Sequence, residues 1–352
     1  MTLSTSQDTG HTPLNVAILG ATGAVGEELL RGLEERSFPV ASLTLLASKR
    51  SAGTPLTFRD KRYVTRDVER VTEEELEAID VAFFSAGSAT SKTYWARFVQ
   101  AGAVVIDNTS AFRMEPAIPL VVPEVNAEAL EGHRGLIANP NCSTIQMMSP
   151  LKALHELAGL ERVVVSSYQS ASGAGRQAMD ELRDQTINIL NFKEPPVKRF
   201  IKRLAFDVIP LIGELKEDGE STEEEKMVKE SQKILSLPAL KVSATCVRVP
   251  TFVGHCLSIN VELSRAFELS EAIEALASAE GVVLCEGDEL PTTAEVAGQD
   301  EVWVGRVRRD PSRPHALNLW CAADNLRKGA STNAIQIAEA LIARGLLKTI
   351  QL

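Results

Sequence analysis

Five cysteines occur in the 352 residues, at positions 142, 246, 256, 285 and 321. An odd number without CxxC spacing suggests neither a disulfide framework nor a zinc cluster, so each thiol is judged by its surroundings. Cys142 lies in ANPNCST, between a proline-containing turn and IQMMSPLKALHEL, a run with helical spacing. Its sulfur is therefore expected near a helix N-terminus, where the dipole favours thiolate, the reactive form. Asn141, Ser143 and Thr144 surround it with polar groups suited to capping and to stabilising an oxyanion. The residues alone leave two readings open, a nucleophile or a small core residue. Among five histidines, His255 in RVPTFVGHCLS follows a strand and a glycine turn, whereas His11 sits in a polar N-terminal stretch and His155 on a helix. A histidine titrating near neutrality could carry the proton when a thiohemiacetal forms or collapses. Nothing in the sequence shows that it meets Cys142.

A second constellation points to a dinucleotide. LNVAILG, residues 14–20, is an apolar β-rich run ending in glycine, and EELLRGLEER has helical spacing, so the segment reads strand, turn, helix. In that turn Gly20, Gly23 and Gly26 would let the backbone approach a pyrophosphate, whose charge meets free N–H groups and the helix dipole. Gly20, Thr22, Gly23, Ala24 and Val25 are expected to line it. The spacing is GxxGxxG, not GxGxxG, and a tight turn without a ligand is the bland alternative. At the end of the second strand, where NAD enzymes commonly place a ribose-binding carboxylate, SKRSAG (48–53) has no acid. Arg50 can stack on adenine and pair with a 2′-phosphate, with Ser48 and Ser51 donating hydroxyls. NADP (NADPH) is the expected cofactor; a solvated basic loop is the alternative.

The elements that must position these groups fall in two parts. A chain of 352 residues, 44% of them hydrophobic, exceeds the roughly 250–300 residues at which one core stops growing. LTLLAS (43–48), DVAFFSAG (80–87) and GAVVIDNTS (102–110) continue the strand series at βαβ distances, which predicts a doubly wound parallel sheet. A new domain is expected near Cys142, where KVSATCVRVP (241–250), CLSINVEL (256–263) and VWVGRVRRD (302–310) alternate with helical stretches as in an α+β domain with one large sheet. The charge-rich GELKEDGESTEEEKMVKESQKI reads, on composition, as solvated loop and helix surface. A net charge of -10 argues against nucleic acid as a partner. With no apolar run near the roughly 20 residues a span needs, and a polar start unlike a signal peptide, a cytoplasmic protein with no membrane partner is expected. No metal site is expected.

In order and spacing, GATGAVG, SKRSAG, DNTSAFR, PLVVPEVN, ANPNCSTIQ, QSASGAGR, CVRVP with GH soon after, and DNLRKGAS resemble the bacterial aspartate-semialdehyde dehydrogenases over residues 14 to 345. NPNCST and SGAG are the more discriminating segments. The resemblance implies an α/β chain: a disordered tail (1–13), an NADP-binding Rossmann domain (14–141), a glyceraldehyde-3-phosphate-dehydrogenase-like α+β catalytic and dimerisation domain (142–328), and a C-terminal helix (329–352) returning to the first. It implies a homodimer, or a tetramer as in some members. Its reaction would be NADPH-dependent reductive dephosphorylation of L-aspartyl 4-phosphate to the semialdehyde, toward lysine, threonine, methionine and diaminopimelate. Residue by residue, Cys142 would be the nucleophile, His255 the acid/base, and Gln169 the group orienting substrate and thioester. Arg113 and Lys226 would bind phosphate, Arg248 the α-carboxylate and Glu223 the α-ammonium, while Ser172, Gly173 and Asn325 would contact the nicotinamide half. Glu223 is chosen within Glu223-Glu224-Glu225 because it lies one helical turn before Lys226. Asn141 and the Cys142 main-chain N–H are candidate oxyanion donors. After Gly254-His255 the chain departs from the common pattern, with Cys256 and Leu257 replacing small and acidic residues. N-acetyl-glutamyl-phosphate reductases share the chemistry, but their uncharged acetamido group would not reward a buried carboxylate at 223. A catalytically silent NADP-binding paralogue would be expected to lack Cys142 or His255.

Overall fold

The computed structural model describes residues 12–347. The tail expectation therefore lies outside the described residues up to position 11, as do the last five positions of the C-terminal segment. In chain order the first half contains β1 (Leu14–Leu19), α1 (Ala24–Glu35), β2 (Val40–Ala47), a hairpin of β3 (Pro55–Phe58) and β4 (Lys61–Val64), and β5 (Arg66–Asp67). There follow α2 (Glu73–Glu77), β6 (Val81–Phe84), α3 (Ser88–Gln100), β7 (Val104–Asp107), α4 (Pro123–Asn126) and β8 (Leu136–Ala138). The second half runs α5 (Cys142–Ala158), β9 (Leu160–Gln169), α6 (Arg176–Leu190), α7 (Thr222–Ile234), β10 (Lys241–Arg248) and β11 (His255–Leu263). It ends with α8 (Leu269–Ala277), β12 (Val282–Leu284), α9 (Thr293–Val296), β13 (Val302–Arg309), β14 (Ala316–Ala323) and α10 (Thr332–Arg344).

The first sheet has the order β5-β2-β1-β6-β7-β8 with every pairing parallel. Its central strands are apolar on both faces, as a sheet covered by helices on both sides requires: all four residues of β6 and of β7 are buried. The second sheet, β10-β9-β11-β14-β13-β12, is mixed. The chain is thus an α/β protein with a parallel nucleotide-type sheet and a separate mixed sheet. Strand β14, ALNLWCAA, is central here, although no strand was expected at that place. Its alternation is blurred because it is buried along nearly its whole length.

Helix α10 packs on the parallel sheet, sharing one core with α1: Ile335, Ile337 and Leu341 sit with Leu29 and Leu33. Burying each of those three contributes roughly 1.5–3 kcal/mol. At Gly32 the bare backbone lets the end of the Ile335 side chain come close, since a Cβ there would lie 2.7 Å from Ile335 Cδ1. Arg36 clasps Glu339, and Arg327 clasps Glu35 and Asp300, fixing the same juncture. Among the described residues no helix is long and apolar enough to cross a membrane.

Candidate active site

Four neighbouring strands of the mixed sheet end together. Gln169 closes β9 and Arg248 closes the parallel β10, in register with each other. His255 opens the antiparallel β11 opposite both Gln169 and Ala323, the last residue of β14. Asn325 follows two residues later. Residues separated by up to 156 positions in sequence thus meet because a parallel pair and two antiparallel partners present the same edge.

Cys142 faces that edge from the first turn of α5. Asn141 caps the helix, its Oδ1 accepting from the N–H groups of Ser143 at 3.0 Å and Thr144 at 3.3 Å. Gly329 passes so near that a Cβ there would stand 2.9 Å from Cys142 Cβ. Between them lies a cleft of about 290 Å³. Cys142, Gln169, Arg248, Arg113, Glu223 and Lys226 line it, with Asn141, Ser172, Gly173 and Asn325, and Val25 on the side of the glycine turn.

Helix α7 brings in charge on one face. Its Ser221 N-cap forms a capping box with Glu224, and Glu223, Lys226 and Glu230 follow at helical spacing. The charge-rich stretch is therefore only partly the solvated surface that composition suggests: Glu223 and Glu230 are buried. Glu223 Oε1 accepts from Asn141 Nδ2 at 2.9 Å and Gln169 Nε2 at 3.3 Å, and Oε2 pairs with Lys226 Nζ at 3.1 Å. Burial would raise its pKa, but Lys226 and the amide hydrogen bonds outweigh that and hold it below the ordinary 4.5, so it is ionised. One amide hydrogen of Asn141, a candidate oxyanion donor, is thereby committed to Glu223. Arg113 donates from Nε to Asn139 O, from Nη2 to Asn108 O, and from Nη1 to Glu230. Two of its five N–H groups remain for an anion.

The surroundings of Cys142 and His255 act on their protons in opposite senses. Burial, then the Glu223 charge, pushes the Cys142 thiol up to about 11 against Arg113, Arg248 and the Ser143 N–H. Desolvation thus acts against the thiolate that the helix terminus favours, and it outweighs the two guanidiniums and the Ser143 N–H. His255 is wholly buried. Burial and the Arg248 charge lower its pKa from 6.5 to about 3. The folded imidazole thus resists a proton that the unfolded one accepts near 6.5, so its stabilising contribution is complete above 6.5 and is lost as pH falls toward 3. Glu223 and Glu124 act in the same direction, but below their ordinary 4.5. Between pH 6.5 and 5 the wild type should lose up to about 1.4 kcal/mol per pH unit from this group. His255→Gln should flatten that slope in urea midpoints measured against pH; His133, also lowered by burial, is common to both proteins.

On the cofactor side, Gly20 has φ +96°, and a Cβ there would strike the Ser85 carbonyl carbon at 2.8 Å. A Cβ on Gly26 would meet Gly20 O at 2.3 Å. The first and third glycines therefore make the turn possible, and α1 begins at Ala24 after Gly23 with no side-chain cap on its N–H groups. Thr22 is part-exposed and Gly23 exposed on this turn. Such a terminus fits a pyrophosphate. Ser48 and Arg50 are exposed and Ser51 part-exposed beyond β2. Lys49, Arg66 and Arg70 line the adjoining hollow with Asp67. Among the described residues no group of three or more His, Cys, Asp or Glu could hold a metal ion.

Sequence reasoning missed Glu230, Ser170, Gly329 and the pair Lys328–Glu124. Glu230 lies seven residues after Glu223, a two-turn spacing that marks one helix face. For Lys328, fully buried with Nζ 2.6 Å from Glu124 Oε1, no sequence signal exists.

Residues 15–133 match the model of the semialdehyde dehydrogenase NAD binding domain, and residues 151–328 that of the semialdehyde dehydrogenase dimerisation domain. An aspartate-semialdehyde dehydrogenase of Aquifex aeolicus is 48% identical over 338 residues, 94% of this chain and 99% of that protein. The chain belongs to the aspartate-semialdehyde dehydrogenase family. The family's enzyme of Bacillus subtilis is 46% identical, over 93% of this chain and 97% of that one. The crystal structure of Vibrio cholerae aspartate semialdehyde dehydrogenase II complexed with ASA superposes with a TM-score of 0.92 at 46% identity, covering 94% of this chain and 99% of that chain. As a member of the aspartate-semialdehyde dehydrogenase family, the chain is an oxidoreductase of amino-acid biosynthesis with a nicotinamide-binding domain.

Proposed function

We propose that the chain catalyses reversible reductive dephosphorylation of L-aspartyl 4-phosphate to L-aspartate 4-semialdehyde through a Cys142 thioester, with NADPH. The observation that carries this reading is the shared cleft, where Cys142 lies with a buried carboxylate, Glu223, and a buried guanidinium, Arg248. Arg248 would hold the α-carboxylate in a two-pronged contact, Glu223 the α-ammonium, and Arg113 with Lys226 the phosphate. Gln169 would orient the acyl group, while the Cys142 N–H and the free amide hydrogen of Asn141 would meet its oxyanion. Sulfur attacks the acyl carbon and phosphate leaves, giving the thioester. The nicotinamide, when bound, supplies the hydride that reduces it. Ser172, Gly173 and Asn325 would border the nicotinamide half, and Gly20 to Val25 the pyrophosphate. His255 would serve the oxygen that changes charge. The product stands at the branch toward lysine, threonine, methionine and diaminopimelate, in the cytoplasm, and the match to a dimerisation domain supports a homodimer.

An NADPH-oxidation assay with aspartyl phosphate beside N-acetyl-glutamyl phosphate tests the substrate. Activity on the first alone is expected, because an acetamido group, unlike an α-ammonium, brings no positive charge to the buried Glu223, which then has only Lys226 as a counter-charge. Preference for the second would overturn the reading. For the cofactor, Arg50→Ala should weaken NADPH by about one to two decades, the worth of a charge-assisted contact of roughly 1.5–3 kcal/mol, and leave NADH nearly unchanged. Equal losses for both would remove the 2′-phosphate role.

A further inference from the structure

The Lys328 side chain is wholly enclosed, and each hydrogen of its ammonium group has an acceptor: Nζ lies 2.6 Å from Glu124 Oε1, 2.7 Å from Gln336 Oε1 and 3.2 Å from Asn333 Oδ1. Gln336 closes a ring by donating from Nε2 to the same Glu124 oxygen at 2.8 Å. The Glu124 side chain, on α4, is 2% exposed. An apolar pair of similar volume would often hold two segments together as well or better, because it avoids desolvating two charges. What the ion pair and its directed acceptors add is a defined position for the backbone that carries the lysine.

That backbone departs from the usual helix. From Arg327 to Ser331, just before α10, it is π-helical: Gly329 N–H donates to Asp324 O and Ser331 N–H to Leu326 O, each at 3.0 Å and five residues back. Single π turns are rare and recur at functional sites. The Lys328 side chain runs from this turn to Glu124, while the next residue, Gly329, lines the cleft, where a Cβ would stand 2.9 Å from Cys142 Cβ and 3.3 Å from Cys142 Cα. A second path leads to the same place. Asn333, the third acceptor, donates from Nδ2 to Asn139 Oδ1 at 2.6 Å, and Asn139 Nδ2 donates to Ala330 O at 3.1 Å. The turn and the segment leading into Cys142 are thus tied on both sides of Gly329.

We propose that Lys328 and Glu124 are positioning residues, whose buried pair fixes the π-helical turn so that Gly329 forms the wall against Cys142 and sets how the sulfur is presented to the cleft. The consequence for turnover rests on the proposed role of Cys142 as nucleophile; the consequence for the wall does not. Side-chain partners of Lys328 are Glu124, Asn333 and Gln336, none of which is assigned to the substrate. Loss of the pair should therefore lower kcat and leave KM nearly alone. A pair that only added stability would change neither in the folded protein.

The test is the double variant Lys328→Met/Glu124→Leu of the full chain, which removes both charges together and leaves neither buried alone. Cys142 in the folded variant should be alkylated by iodoacetamide about threefold faster than in the wild type, or more, because the wall is no longer held against the sulfur; the mass of the Cys142 peptide scores it. With semialdehyde, NADP and inorganic phosphate, kcat should fall by roughly 10–100-fold, the cost of about an ångström of misplacement, while KM for phosphate stays near the wild-type value. An unchanged or slower alkylation rate would overturn the proposal, and so would a wild-type kcat. A rise in KM for phosphate with kcat intact would assign the pair to substrate binding and overturn it as well. Should the double variant not fold, Gln336→Met decides by the same readouts, since it keeps both charges and removes only the bridging amide; wild-type alkylation and kcat there would overturn the proposal. Alkylation uses no substrate, so a wrong substrate assignment would leave that readout intact.

Discussion

Cys142→Ala should fold, keep its affinity for the cofactor, and turn over aspartyl phosphate at background rate, several orders of magnitude below the wild type. The residue is part-exposed at a helix start rather than enclosed in either core, so loss of its sulfur removes little packing, on the order of 1 kcal/mol or less. Cys246→Ala provides the contrast. Its thiol is wholly buried, pushed up to about 12 by burial, with Sγ 3.5 Å from Met227 Sδ. That variant should lose stability by a cavity term and retain turnover in its folded fraction. Cys142→Ser should rescue little, because sulfur supplies both the attack and a good leaving group. Steady-state rates beside thermal melts of the three variants separate the outcomes.

Arg113→Ala should cost both stability and phosphate binding. The substitution leaves Glu230, 1% exposed, without its counter-charge, although Glu230 Oε2 still accepts the Asn141 N–H at 2.6 Å. Breaking a buried pair from one side typically costs about 3–5 kcal/mol, a large share of the roughly 5–15 kcal/mol that holds a protein folded. Because Glu230 also grips the backbone of the residue before Cys142, the turn carrying the nucleophile should loosen as well. In the reverse direction, with semialdehyde, NADP and inorganic phosphate, the KM for phosphate should rise by at least about tenfold, the worth of one charge-assisted contact. Glu230→Gln keeps an acceptor for the Asn141 N–H and should retain more stability than Arg113→Ala. Equal melting points for Arg113→Ala and the wild type would show that the pair carries no structural load.

Local signals were legible where chemistry and spacing coincide. The three glycines predicted a strand-turn-helix that the backbone requires sterically, and ANPNCST predicted a cysteine at a helix start among polar groups suited to capping, of which Asn141 is the cap. The parallel pairing of the first sheet, though not its strand order, followed from apolar runs at βαβ distances. Illegible were the features made by long-range pairing. Gln169, Arg248 and His255 are neighbours only because β10 is parallel and β11 antiparallel to β9, and β14 enters between β11 and β13 from far along the chain. The desolvation that raises the Cys142 pKa was illegible for a related reason: a helix dipole is local and visible in sequence, whereas a cleft assembled from both halves is not. Glu223 and Glu230 sit in a stretch whose composition describes its outer face, and the inner face shows only in the helical spacing.

The most direct test of the thioester is intact-mass spectrometry of the enzyme mixed with aspartyl phosphate in the absence of NADPH. One aspartyl group per active subunit is expected, mapped to the peptide containing Cys142, present in Cys246→Ala and absent in Cys142→Ala. An unmodified wild-type enzyme under those conditions, together with a folded Cys142→Ala that still consumed aspartyl phosphate at the full rate with NADPH, would contradict covalent catalysis at Cys142.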